Sequence, residues 1–163
     1  MNEEYLSYVD YLKSINFEQK LEILKEKYKD KKIIIYGIGT LLDAILDNYP
    51  ISDYLNIIGI SDKRIEEETT KTYKGFNLYK PLALRALNFN AVLDTNIYFE
   101  NTNRYLRKNY FIKRGTKVEK FVKISFAERL NNGILKLNAL GKYFITSKNI
   151  FKTCKYAIYC TAE

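Results

Sequence analysis

The chain has no histidine and no tryptophan, and among its 163 residues it has only two cysteines, two prolines and one methionine. Without histidine, the commonest general base is missing, and with it every Ser-His or Cys-His nucleophile. Acid-base chemistry falls to Asp, Glu, Lys or Tyr. Cys154 and Cys160 cannot supply the four soft ligands of a zinc site, so no metal centre is expected. With no secretory leader read ahead of them, they are expected as reduced thiols of a cytoplasmic protein. No apolar run approaches the ~20 residues that a membrane-spanning helix needs.

What is present fits one ordinary domain with a core of its own: 47% hydrophobic residues, 28% charged residues and fifteen tyrosines. The net charge of +8 is unevenly spread. Residues 104–163 carry 14 Lys+Arg against 3 Asp+Glu, whereas residues 1–103 carry 13 against 16. A basic third of this kind either docks on an anionic membrane surface or an acidic protein partner, or solvates its own surface. Its lysines 136, 142, 148, 152 and 155 alternate with apolar residues at near-helical spacing. That leaves a cationic amphipathic face, peripheral to the inner membrane, beside simple packing on the domain.

Periodicity predicts the elements. Leu6, Val9, Leu12, Leu21 and Leu24 fall at helical spacing, with a break between Ser14 and Phe17 where Asn16 is expected to cap a second helix. Ile33–Tyr36 is a continuous apolar run of the kind found in strands buried on both faces. An amphipathic helix follows from Thr40 to Asn48, and then a second buried strand over residues 56–62 that ends in Asp62. Beyond a polar stretch come an extended segment at 75–79, a helix opened by Pro81, a strand at 91–94, a helix at 102–109 and a last strand at 118–122. The alternation predicts an α/β doubly wound fold with a mainly parallel sheet. The expected divisions are an N-terminal helical segment (residues 1–30), the α/β domain (31–123) and a basic C-terminal extension (124–163).

Gly37-Ile38-Gly39 stands where the first strand hands over to a helix beginning at Thr40. Glycines there allow a tight turn, and a helix N-terminus favours an anion such as phosphate. The third glycine of G-x-G-x-x-G is replaced by Leu42. Asp62, at the end of the second strand, is expected as an exposed carboxylate that accepts ribose hydroxyls, with a turn residue as the alternative. Asp94 ends another strand at the same edge. If the chain is an enzyme, Asp62, Asp94 and Tyr98 are the polar residues nearest the carboxyl ends of the strands; whether it catalyses a reaction stays open. Glu66-Glu67-Glu68 is read as a solvated loop, not a metal site. Tyr105–Arg114 (YLRKNYFIKR) interleaves aromatic and basic residues, yet no RNA-binding signature accompanies it, and nucleic acid is not the expected partner.

The motifs IIIYGIGTLLDAIL, NIIGISDKR, YKGFNLYKPLAL and NFNAVLDT together resemble the small Rossmann-like domains of bacterial surface-glycan biosynthesis, which are similar to the N-terminal part of amino-sugar acetyltransferases. The chain departs from that pattern at Leu42 and at Asp94-Thr95-Asn96. The resemblance implies a nucleotide or nucleotide-sugar ligand held by Gly37, Gly39, Thr40, Asp62 and Asp94, in a capsule or lipopolysaccharide pathway.

Overall fold

A computed structural model of the chain describes residues 3–65, 72–96 and 102–125, together with Glu128. Two compact units are present, Met1–Ile124 and Ser125–Glu163. The first contains helices α1 (Glu3–Ser14), α2 (Phe17–Lys27), α3 (Thr40–Asn48) and α4 (Thr102–Lys108). Its strands are β1 (Ile33–Tyr36), β2 (Ile57–Ser61), β3 (Thr72–Tyr73), β4 (Phe76–Tyr79), β5 (Ala91–Asp94) and β6 (Lys117–Lys120). The expected helix after Pro81 is a 3-10 helix, Pro81–Ala86. Of the second unit, the structure describes a reciprocal cap. The Ser125 N–H donates to the Glu128 carboxylate, and the Glu128 N–H donates to Ser125 Oγ.

The six strands lie in the order β3-β4-β2-β1-β5-β6, and only the β3–β4 hairpin is antiparallel. The parallel strands, β4-β2-β1-β5-β6, are compatible with a Rossmann-like sheet, whose order also reverses beside its first strand. β1 is central, and all four of its residues are fully buried. Successive side chains point to opposite faces. Ile34 and Tyr36 therefore share one face with Val92, and that face packs against Leu84 of the 3-10 helix and Leu106 of α4. Ile33 and Ile35 face the other way. α1 packs on α3, and Tyr8, Tyr11, Leu12, Leu42 and Ile45 are buried.

The turn between α1 and α2 differs from expectation. Asn16 adopts a left-handed conformation (φ 48) and makes no side-chain cap. Its amide instead donates to Gln19 Oε1. Asn tolerates positive φ better than most residues, so it serves as a hinge between the two helices and does not cap α2. α2 is tied to edge strand β6 by Glu119, which accepts from Lys27 Nζ and the Tyr28 hydroxyl. Burial, the hydrogen bond to Glu119 and the charge of Glu119 all push the Tyr28 phenol well above its ordinary range, so it stays a donor.

Gly59 lies beneath the ring of Tyr79. A Cβ there would press into that ring and stand 2.8 Å from the Asn77 carbonyl oxygen, which is backbone and cannot swing away. Gly59→Ala should therefore cost about 1–3 kcal/mol. Urea denaturation would show this as a lowered midpoint with an unchanged slope.

Candidate functional site

The sheet opens at the carboxyl ends of β1 and β5, where the strand order reverses, into a crevice of about 320 Å³. Gly39, Thr40, Asp62 and Arg64 line it, together with Tyr8 of α1 and Asn96 of the loop after β5. Of the residues expected at the site, Gly39, Thr40 and Asp62 thus meet in one place. Gly37 lies at the base of the turn and Asp94 is not among the lining residues.

The two glycines of the turn have different reasons to be glycine. Gly37 has φ +108, and a Cβ on it would come within 2.7 Å of Thr95 Oγ1 and 2.9 Å of Asn96 Oδ1. Protein atoms alone demand a glycine there. Thr95 Oγ1 donates to the Gly37 carbonyl at 2.7 Å, so the loop after β5 grips the turn after β1. Gly39 is extended, and among the described residues a Cβ on it would meet nothing within 4 Å. The space over Gly39 is open to the crevice. Gly39 also begins α3 without a side-chain cap, so the first N–H groups of that helix rise beside this space.

Asp62 is at the predicted strand end, but it is not exposed. Its side chain is 4% exposed and each oxygen accepts two hydrogen bonds. Oδ2 takes the Ile38 N–H at 2.7 Å and Arg64 Nη2 at 2.9 Å; Oδ1 takes the Arg64 N–H at 2.8 Å and Arg64 Nε at 2.9 Å. That is the full acceptor complement of a carboxylate. Burial by itself would raise its pKa, but hydrogen bonds from Arg64 and the Ile38 N–H, with the charge of Arg64, hold it below the ordinary value. Arg64 Nη2 also donates to the Ile38 carbonyl, so both polar groups of the middle turn residue are braced from the end of β2. Asp62 is therefore a turn residue at its own strand end, through the Arg64 N–H, as the sequence alternative had it, and beyond that reading a clamp on the Gly37–Gly39 turn.

Asp94 is neutralised in the same manner. Its Oδ1 accepts from the N–H and amide of Asn96, and its Oδ2 from Lys120 Nζ. The residues Asp94-Thr95-Asn96, which set the chain apart from the resembled pattern, thus organise the second wall of the crevice. Lys120 does not stand out in sequence, because it is one cation among 27 and only the packed strand ends select it, whereas Arg64 is a local partner two residues from Asp62. In the Tyr105–Arg114 segment the apolar residues go to the core: Leu106 and Ile112 are buried and Tyr105 packs on Tyr36 and Phe111, while Tyr110 and the basic residues 107, 108, 113 and 114 are exposed.

Tyr98, Glu66-Glu67-Glu68, Cys154, Cys160 and the lysines from 136 onward lie outside the described residues. Among the described residues no helix is long and apolar enough to cross a membrane. No family model, curated protein or solved structure matches the chain.

Gly37→Ala should lose about 1–3 kcal/mol, from strained positive φ alone, with further loss from the contact with Thr95; thermal unfolding measures it. Because the pKa of Asp62 is depressed in the folded state, its contribution to stability is present above the ordinary 3.8 and is lost as pH falls through the folded value. Urea midpoints followed down this acid limb should fall more for wild type than for Asp62→Asn.

Proposed function

We propose that this chain binds a nucleotide, most specifically a nucleotide sugar, in the crevice over Gly39, on a doubly wound Rossmann-like scaffold that serves surface-glycan assembly. The observation that carries the reading is Gly39 itself. Among the described residues no atom requires a glycine there, yet it stands at the uncapped start of α3 and opens directly on the crevice. A phosphate approaching the backbone requires such a gap. The crevice volume falls at the lower end of the range of small-ligand pockets, roughly 300–1,000 Å³. Its position where the strand order reverses is where open α/β sheets take their ligands.

Binding is a better reading than turnover. A general base must be able to take up a proton near the working pH. Asp62 is saturated with donors and held ionised, and no histidine exists to replace it. The phosphate-facing end of the ligand lies over Gly39 and Thr40, and its ribose extends toward the end of β2.

Thermal unfolding against UDP-, GDP-, dTDP-, ADP- and CMP-linked sugars tests the reading. A ligand at about 100 times its Kd adds roughly 2.7 kcal/mol, so one of these should raise the Tm clearly. Gly39→Ala should unfold at the wild-type temperature without ligand and lose the ligand-dependent rise. No shift with any of them, or a full shift in Gly39→Ala, would reject the site.

A further inference from the structure

We propose that Arg64 is the phosphate-reading residue of the crevice and that Asp62 holds it in reserve, so that the site requires a nucleoside diphosphate. The inference rests on the nucleotide reading above and adds to it which residue recognises the diphosphate and what that recognition releases.

The geometry around Asp62 separates fixed donors from removable ones. The Ile38 N–H on Oδ2 and the Arg64 N–H on Oδ1 are backbone and stay while the turn stays. The other two donors, Nη2 on Oδ2 and Nε on Oδ1, belong to one guanidinium. The Arg64 side chain is 64% exposed, whereas that of Asp62 is 4% exposed. The cation is therefore the member of the pair that an incoming anion can reach and draw aside, and the carboxylate is not. When it swings, one acceptor position opens on each Asp62 oxygen, which is what the two adjacent hydroxyls of a ribose fill. As the pair stands, a ribose meets a carboxylate with no acceptor to offer.

Only an anion can draw the guanidinium away. A neutral hydroxyl offers Arg64 nothing comparable to the paired hydrogen bonds it makes with Asp62, whereas phosphate accepts the same forked geometry. The guanidinium already touches the Ile38 carbonyl, one residue before Gly39, so a diphosphate seated over Gly39 lies within its reach. The start of α3 stabilises the same anion. Diphosphate and ribose thus bind as one coupled exchange: the phosphates take Arg64, and the hydroxyls take the positions Arg64 leaves.

Calorimetric titration with inorganic pyrophosphate, UDP, ADP, uridine and adenosine tests the exchange in wild type and three variants. Wild type should bind the better diphosphate more tightly than pyrophosphate, and its nucleoside barely. Asp62→Asn no longer neutralises Arg64 and should bind pyrophosphate several-fold more tightly than wild type, an outcome that a purely structural Asp62 does not give. Arg64→Gln should weaken diphosphate binding roughly 10- to 100-fold and bind the matching nucleoside better than wild type does. Because Arg64→Gln leaves a buried carboxylate less well paired, the double variant Asp62→Asn/Arg64→Gln provides a neutral control and should lose the gain of Asp62→Asn. Pyrophosphate should also shift the Arg64 Nε–H resonance in wild type. If Asp62→Asn weakens pyrophosphate binding, or Arg64→Gln leaves diphosphate binding unchanged, the role of Arg64 is overturned while the nucleotide site stands. If neither pyrophosphate nor any nucleotide or nucleotide sugar binds wild type, both fall.

Discussion

Four consecutive residues, Ile33–Tyr36, are withdrawn from water on both faces at once, and the remaining architecture answers that constraint. A strand buried this way needs a hydrogen-bonded neighbour on each side and apolar cover above and below. β2 and β5 supply the neighbours, both parallel. The 3-10 helix and α4 cover the face that bears Ile34 and Tyr36, and α1 packs on α3. Because the chain leaves β1 toward β2 and later returns on its other side at β5, the connections diverge at the carboxyl end of β1. The crevice is the gap this divergence leaves.

Charge at that gap is arranged in pairs. Asp62 with Arg64 and Asp94 with Lys120 each set a nearly buried carboxylate against a more exposed cation. Removing the cation of either pair strands a nearly buried carboxylate in a poorly solvated place, whereas removing the carboxylate leaves a cation that water reaches. The clamp on Ile38 and the grip of Thr95 on Gly37 shape the turn before any ligand arrives, and preorganised donors lose less entropy on binding.

The elements were largely legible because they follow from local pattern: helical spacing over residues 3–27, unbroken apolar runs at 33–36 and 91–93, and a strand-glycine-helix handover at 36–40. Where local pattern misled, a competing local preference prevailed. Asn16 carries the chemistry of a helix cap but took the left-handed turn, and the helix expected after Pro81 tightened into a 3-10 helix. Thr72–Tyr73 pairs with β4 through a turn whose Lys74 and Gly75 both have positive φ; no alternating run marked that hairpin in advance.

By itself the sequence determined that the chain would form a mainly parallel α/β sheet, that a glycine turn would join its first strand to a helix, and that Asp62 would stand at the end of the second strand. These follow from side-chain size and periodicity within a few residues of one another. The tertiary structure alone decided that Gly37 serves the protein while Gly39 leaves open space, that Asp62 is filled by Ile38 and Arg64 and is not exposed, and that Lys120 answers Asp94. Apart from the local Arg64–Asp62 contact, those outcomes depend on which strand ends meet. The meeting of residues 24 to 59 positions apart is set by packing the whole sheet, which no local window of sequence contains.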